Sequence, residues 1–167
     1  HMGGGSAPDS FSLVYPLIDM EISTVYPDFI WRTSHDEDDM DSVTYTLIID
    51  TPDPGIISHD VAFDTSFTLA EPLPDNCQIF WQVIAQDLEG NQTVNEGEYQ
   101  TFYTNEENEN PSPPVLVSPI NGSIQSTLTP RFYWTESLDP DPLDQVIYNL
   151  SFEENNFGTW FDFSADS

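Results

Sequence analysis

Apolar and polar residues alternate along short segments of this 167-residue chain, and turn residues separate the segments. Around Trp31, Leu47 and Trp81 every second residue is apolar, which is the period-two pattern of a half-buried β-strand. In the first part of the chain this pattern predicts strands at residues 11–15, 27–32, 43–49, 56–63, 66–70, 78–85 and 99–103. Clusters of Pro, Asp, Asn and Gly between them disfavour helices. We therefore predict an all-β protein.

The pattern recurs 103 residues further along the chain without a gap, and such self-similarity indicates an array of similar domains. The second copy contains candidate strands at 115–117, 130–135 and 146–152, and a candidate fourth strand at 157–163. It has no counterparts of Ser66 to Tyr103, so we expect its apolar faces to lack cover. The matching pairs include Pro16/Pro119, Pro27/Pro130, Phe29/Phe132, Trp31/Trp134, Ser34/Ser137, Val43/Val146, Tyr45/Tyr148 and Leu47/Leu150.

This repeat predicts four parts in the chain. Residues 1–9 are typical of an expression tag and linker, and residues 10–104 form a predicted complete domain. Residues 105–114 are acidic and then Pro-rich, which predicts a short and fairly stiff linker. Residues 115–167 form a predicted partial second domain with the first three or four strands.

The net charge of −28 is extreme, because Arg32 and Arg131 are the only basic side chains apart from histidine. Such a chain is repelled by nucleic-acid phosphates and by anionic membranes, so neither is an expected partner, whereas cations are. Two interpretations stay open: a solvated acidic surface, as in salt-adapted or secreted bacterial proteins, and Ca²⁺ binding. The single cysteine, Cys77, excludes an internal disulfide.

Two recurring motifs resemble those of fibronectin type III domains. They are Pro-x-Phe-x-Trp at residues 27–31 and 130–134, and Val-x-Tyr-x-Leu at 43–47 and 146–150, with an acidic loop between them. Residues 80–87, followed by Gly90 and Asn91, resemble the sixth strand and next loop of bacterial members. The resemblance implies an immunoglobulin-like β-sandwich of the fibronectin type III kind, with one complete domain and a truncated second copy.

The resemblance to extracellular bacterial arrays also implies a role. We expect a non-catalytic spacer or adhesion module of a larger secreted or cell-surface protein, whose partners include other domains of the parent chain. Proteins with this fold have many different functions, so the expected role follows from the family resemblance and not from the fold itself. A carbohydrate-binding or peptide-binding accessory module, and a dimerisation element, are the alternatives.

The acidic loops after the Pro-x-Phe-x-Trp strands are the candidate metal sites. Ca²⁺ takes about six to eight oxygen ligands, and Asp-x-Asp places two carboxylates on one side of a loop. In a sandwich of this type, the loop after the sixth strand lies at the same pole. By resemblance to cadherin-like arrays, Ca²⁺ would stiffen the joint between copies; the alternative is that these are ordinary turn residues. The predicted ligands are Asp36, Asp38, Asp41, Asp87, Glu89, Asp139, Asp141 and Asp144.

The aromatic residues Trp160, Phe161 and Phe163 form a candidate partner-binding surface. Each buried aromatic side chain hides about 150–250 Å², so exposing several is costly. A second chain could cover them and make a homodimer, the segment could be poorly ordered, or the rings could bind a protein or glycan ligand. His35 and His59 have no recognisable nucleophile motif, and the acidic loops form no opposed walls of a cleft, so we predict no enzymatic activity.

Overall fold

A computed structural model describes residues 5–37, 42–153 and 160–166. All helix or strand elements in these ranges are β-strands, so the predicted all-β class is confirmed, and no helix there could cross a membrane. The chain splits into two compact units, residues 1–107 and 108–167. The strands are β1 (Leu13–Tyr15), β2 (Met20–Ile22), β3 (Asp28–Trp31), β4 (Thr44–Asp50), β5 (Ile56–Ala62), β6 (Ser66–Thr68), β7 (Gln78–Gln86), β8 (Gln92–Val94), β9 (Gln100–Thr104), β10 (Leu116–Ser118), β11 (Tyr133–Trp134), β12 (Ile147–Glu153) and β13 (Trp160–Asp166).

The first unit contains two β-sheets. One has the strand order β1-β3-β6, and the other has the order β2-β9-β7-β4-β5, with β8 paired to the second half of β7. Neighbouring strands are antiparallel except β2 and β9, which are parallel. The long strands β4 and β7 form the centre of the larger sheet, and they pair from Thr44 opposite Gln86 to Asp50 opposite Phe80.

The core of the first unit lies between its two sheets. On β3, Phe29 and Trp31 are buried and alternate with exposed residues, because successive strand side chains point to opposite faces. The Phe29 ring contacts Trp81 and Phe102 of the larger sheet at centroid distances of 5.0 and 5.9 Å. The ring centroids of Trp31 and Tyr45 are 5.7 Å apart. The two sheets therefore pack face to face, as in a β-sandwich.

Residues 5–9, which the sequence assigns to a tag and linker, pack on the first unit. The Asp9 N–H donates to the His35 carbonyl at 2.7 Å, and the Thr93 hydroxyl donates to the Pro8 carbonyl at 2.5 Å. Pro8 is itself buried. The packed part of this unit therefore begins before residue 10.

The described part of the second unit contains two pairs of strands, β10 with β11 and β12 with β13. The candidate fourth strand at 157–163 corresponds to β13, which starts at Trp160; residues 154–159 lie outside the described ranges. Backbone hydrogen bonds of the first unit recur here at the 103-residue offset. Asp9 to His35 and Arg32 to Ser12 in the first unit correspond to Ser112 to Leu138 and Thr135 to Val115 in the second.

The hydrogen bond from the Ser112 N–H to Leu138 places part of the predicted linker inside the second unit. A second bond runs from the Leu138 N–H to the Ser112 hydroxyl at 2.8 Å. The boundary between the units, after Glu107, falls within the predicted linker 105–114. The second half of that linker is hydrogen-bonded to the start of the second acidic loop.

Candidate metal site

Each acidic loop begins at a serine that a buried tyrosine holds in place. The Ser34 N–H donates to the Tyr45 hydroxyl at 2.8 Å, and the Ser137 N–H donates to the Tyr148 hydroxyl at 2.7 Å. Burial raises the pKa of Tyr45, although the hydrogen bond from Ser34 opposes this shift. The Tyr148 ring packs against Trp134 at 5.7 Å. Apolar strand residues therefore fix the point from which the acidic loop leaves the sheet.

Three predicted ligands converge in the second unit. One carboxylate oxygen from each of Asp139, Asp141 and Asp144 lies within 4.8 Å of the other two. Two oxygens bound to the same Ca²⁺ ion at about 2.4 Å are at most about 4.8 Å apart, so one ion fits among the three groups. The Asp141 N–H also donates to the Asp139 carboxylate at 3.1 Å. Leu143 has a φ of 70°, an uncommon value for a bulky residue, at the turn that leads back to Asp144.

Asp141 is the buried member of this cluster, with 3% of its surface exposed. Its Oδ2 accepts a hydrogen bond from the Glu109 N–H at 2.9 Å and one from the Asn108 amide at 3.4 Å. Its Oδ1 is buried and has no hydrogen-bond partner. A buried carboxylate oxygen without a partner is energetically costly, and a cation bound to Oδ1 would remove that cost.

The donor set consists of oxygen atoms. Glu136 and Gln145 line the same surface depression as Asp139 and Asp144, so further oxygen ligands are close to the cluster. A site of carboxylate and carbonyl oxygens suits Ca²⁺, Mg²⁺ or Mn²⁺, whereas Zn²⁺ prefers His and Cys. Ca²⁺ accepts irregular geometry and completes its shell with water, which fits a site with one exposed ligand, Asp144.

The other predicted ligands are not brought into such a group within the described residues. Asp38 and Asp41 lie outside the described ranges, so their predicted role stays a prediction. Asp36, Asp87 and Glu89 are described, and none of them belongs to a described group of three acidic side chains with converging oxygens.

Both carboxylate oxygens of Asp87 are used by its own loop. Oδ1 accepts the Asn91 N–H at 2.9 Å and Oδ2 accepts the Asn91 side-chain amide at 2.7 Å. Burial raises the pKa of Asp87, but hydrogen bonds from Asn91, Gly90 and Glu89 outweigh it and hold the pKa below its usual value. The Glu89 carboxylate accepts the Gly5 N–H at 2.6 Å. Asp87 therefore stabilises a turn in this structure.

The candidate aromatic surface lies on β13, where the strand register pairs it with β12. Trp160, Phe161 and Phe163 are opposite Glu153, Phe152 and Leu150 respectively. Their predicted role in binding a partner stays a prediction, since strand pairing alone does not identify a ligand.

Two residues of the cluster were missed by the sequence analysis. Asn108 and Glu109 were assigned to the linker, but they donate to the buried Asp141 carboxylate. The available signal was the repeat itself, because the 103-residue offset places Asn108 and Glu109 directly before the second copy, as residues 5 and 6 directly precede the first.

Comparison with known proteins gives no match: no protein-family model, no curated protein and no solved structure is significantly similar to this chain. The fibronectin type III resemblance therefore rests on the two motifs and on the sandwich arrangement of the first unit.

Proposed function

We propose that this chain is a non-catalytic spacer or adhesion module of a larger extracellular or cell-surface protein, built from fibronectin type III-like units, and that its second unit binds Ca²⁺. The observation that carries the proposal is the buried Asp141 carboxylate, whose Oδ1 has no hydrogen-bond partner. Its neighbours Asp139 and Asp144 each have a carboxylate oxygen within 4.8 Å of an Asp141 carboxylate oxygen. Three carboxylates at this spacing repel one another, and a divalent cation turns that repulsion into attraction.

The tandem arrangement supports the spacer role. Both units use the same serine–tyrosine bond, the same Trp–Tyr ring contact and the same backbone bonds, at a constant offset of 103 residues. Arrays of similar sandwich units set the distance between the functional parts of a longer protein. The acidic surface suits such a role because it keeps the array soluble and repels anionic surfaces.

The chain between the units also fits a spacer, because contacts within each unit hold it almost completely. The N–H groups of residues 105–106 donate to acceptors in the first unit. Residues 108–109 donate to Asp141 in the second unit. Glu107 is the residue between these two sets of contacts. A cation bound to Asp141 would fix the carboxylate that accepts hydrogen bonds from residues 108–109, and would thereby strengthen the attachment of these residues to the second unit.

The first experiment is a Ca²⁺ titration of the chain by calorimetry, with Asp141→Asn as the test variant. We expect the number of bound Ca²⁺ ions to fall by one, because the amide offers one neutral oxygen in place of the carboxylate. Glu71→Gln is the matched control, since Glu71 is an exposed acid of the first unit and its loss changes the net charge equally. An unchanged Ca²⁺ stoichiometry in Asp141→Asn would refute the site.

Thermal unfolding gives a second readout. Ca²⁺ at 100 times its dissociation constant adds about 2.7 kcal/mol to the free energy of unfolding of the unit that binds it. We expect this gain in the wild type and not in Asp141→Asn. If Ca²⁺, Mg²⁺ and NaCl of matched ionic strength act alike on the wild type, the carboxylates form a screened, solvated surface and the Ca²⁺ proposal is wrong.

A further inference from the structure

The larger sheet of the first unit has an outer face that points away from the core. On β7, Ile79 and Trp81 are fully buried, so the alternating residues Gln78, Phe80 and Gln82 lie on this outer face. At this level β7 has a partner strand along both edges, β4 on one side and β9 on the other. The exposure of this face is therefore a property of a paired sheet and does not come from an unpaired strand.

An aromatic ring is exposed in the middle of this outer face. Phe80 is 39% exposed, although it lies on an inner strand of the sheet. The strand register places Asp50 of β4 opposite it on one side and Thr101 of β9 on the other. In the neighbouring pair, the Gln78 amide donates a hydrogen bond to the Tyr103 hydroxyl at 3.1 Å. Carboxylate, amide and hydroxyl groups therefore surround the ring.

A depression with a volume of about 260 Å³ adjoins the Phe80 ring. The loop after β4 forms its wall and is held by its own hydrogen bonds, because the Thr51 hydroxyl donates to the Gly55 carbonyl at 3.1 Å and accepts the Gly55 N–H at 3.3 Å. No hydrogen bond or ion pair joins the half-buried Asp50 carboxylate to another described residue. Its oxygens are therefore available to a ligand. The depression is lined by Asp50, Thr51, Pro52, Gln78 and Phe80.

We propose that this outer face binds a neutral oligosaccharide, with one sugar ring stacked on Phe80 and its hydroxyls hydrogen-bonded to Asp50 and Gln78. A sugar ring presents C–H groups on its faces and hydroxyls around its rim. The C–H groups pack against the electron-rich face of an aromatic ring. A carboxylate accepts hydrogen bonds from hydroxyls, and a glutamine amide both donates and accepts them. A depression smaller than the usual ligand pocket of about 300–1,000 Å³ suits one ring of a sugar chain whose other rings lie along the open face.

The charge of the chain selects an uncharged ligand. The net charge is −28, and neither arginine lies on this face, because Arg32 follows β3 of the smaller sheet and Arg131 belongs to the second unit. A sulfated or uronic-acid glycan is therefore repelled and finds no cation to bind it. The outer face has neutral amides instead, and hydroxyl groups can both donate to them and accept from them. These amides belong to Gln78, Gln82, Gln86 and Gln92.

A basic peptide is the other ligand that this charge would attract. The 30 acidic residues are spread over the whole chain, so their attraction does not favour this face over another. The ring, the depression and the row of amides do favour it, and their chemistry matches hydroxyl groups. The face lies on the first unit and uses no residue of the acidic cluster. It therefore adds a ligand to the proposed spacer or adhesion role, and it stands or falls independently of Ca²⁺ binding.

The test is affinity electrophoresis of the whole chain, with EDTA present, in native gels that each contain one soluble neutral polysaccharide: xylan, glucomannan, galactan, dextran or laminarin. We expect at least one of them to retard the wild-type chain. In that gel Phe80→Ala should weaken binding by about tenfold, which corresponds to about 1.4 kcal/mol. Gln78→Ala, at an exposed position, should weaken it as well. Leu88→Ala, at an exposed apolar residue of the loop after β7, is the control and should bind as the wild type does.

Migration of the wild type that none of the five polysaccharides slows would overturn the proposal. Retardation that Phe80→Ala and Gln78→Ala both leave unchanged would also overturn it, because another surface would then bind the glycan. Equal retardation by anionic polygalacturonate would overturn the choice of a neutral ligand. A lysine-rich peptide is the last probe. If it binds, if Asp50→Asn and Phe80→Ala both abolish its binding, and if no polysaccharide binds, the face is a site for a basic protein partner instead.

Discussion

Trp31 in the first unit and Trp134 in the second occupy equivalent positions, yet their surroundings differ. Each packs against its tyrosine at 5.7 Å, and each lies opposite a leucine of the neighbouring strand. Trp31 is 2% exposed because the larger sheet covers it, whereas Trp134 is only half-buried. The residues common to both copies therefore determine the local contacts, whereas the depth of burial depends on the core that surrounds each tryptophan.

The segment that forms β2 shows the same dependence on distant strands. In the first unit Ile22 is buried because β2 pairs in parallel with β9. In the second unit the corresponding residues 123–125 form no strand, and Gln125 stands at the position of Ile22. Leu128, the counterpart of the buried Val25, is fully exposed. A three-residue strand is stable here because a partner strand completes its hydrogen bonds and covers its apolar side chain.

The largest expected effect comes from removing the two tryptophans. Trp31→Ala should lower the free energy of unfolding of the first unit by about 3–5 kcal/mol, the usual range for a fully buried large aromatic. Trp134→Ala should cost less than half of that in the second unit, because its ring is already partly exposed. Hydrogen exchange in the full chain separates the two effects, since β4 and β12 report on different units.

The control for this pair is Tyr133→Ala, which changes an exposed aromatic residue next to Trp134. We expect a change within about 0.5 kcal/mol, as for ordinary surface substitutions. Equal destabilisation by Trp31→Ala and Trp134→Ala would contradict the comparison, because it would mean that the second unit covers its core as completely as the first.

Alternation predicted the long strands of the first unit because each has one face in the core and one in solvent. It missed β2 and β8, which are three residues long and depend on pairing with β9 and β7. Near β8, the Asn95 carboxamide accepts the Val83 N–H at 2.8 Å, where β7 changes its partner from β9 to β8. No local pattern indicates such a bond, because it joins residues 12 positions apart.

Local spacing also identified the three converging carboxylates, since Asp139, Asp141 and Asp144 lie on one loop. It could not identify the partners of Asp141 at residues 108–109, which are more than 30 positions away. Asp87 was predicted as a ligand on the basis of loop position. In this structure both of its oxygens accept hydrogen bonds from Asn91, as is common for carboxylates in turns, and its role as a ligand stays a prediction.

A smaller effect is expected from the two tyrosine hydroxyls. Tyr45→Phe and Tyr148→Phe each leave a serine N–H without its acceptor, at a cost of about 1–3 kcal/mol where that group is buried. Tyr148→Phe should also weaken Ca²⁺ binding, because Ser137 anchors the start of the acidic loop.

Tyr45→Phe is the matched control for this effect, because it removes the same hydroxyl from the first unit. The Asp141-dependent Ca²⁺ affinity should stay at its wild-type value in that variant. Calorimetric Ca²⁺ titration of both variants shows whether the affinity falls only in Tyr148→Phe. An equal loss of that affinity in both would show that the tyrosine bond does not act on the loop of its own unit.

The smallest expected effect concerns pH and the Asp87 turn. The pKa of Asp87 is lowered in the folded protein, so its ionised form stabilises the fold. This contribution is fully present above the ordinary Asp pKa of about 3.9, and it is lost as the pH falls through the lower folded value. Asp87→Asn should therefore be less stable than the wild type at neutral pH, and the difference should shrink below about pH 4.

Urea denaturation at several pH values measures this difference. Protonation of the other carboxylates relieves the repulsion of the acidic surface in both proteins alike, so it cancels when the two free energies of unfolding are subtracted. Asn91→Ala removes the side-chain donor to Asp87 and should narrow the neutral-pH difference between Asp87 and its Asn variant. A difference between wild type and Asp87→Asn that does not change with pH would show that the turn is stabilised by shape alone, with no contribution from the charge of the carboxylate.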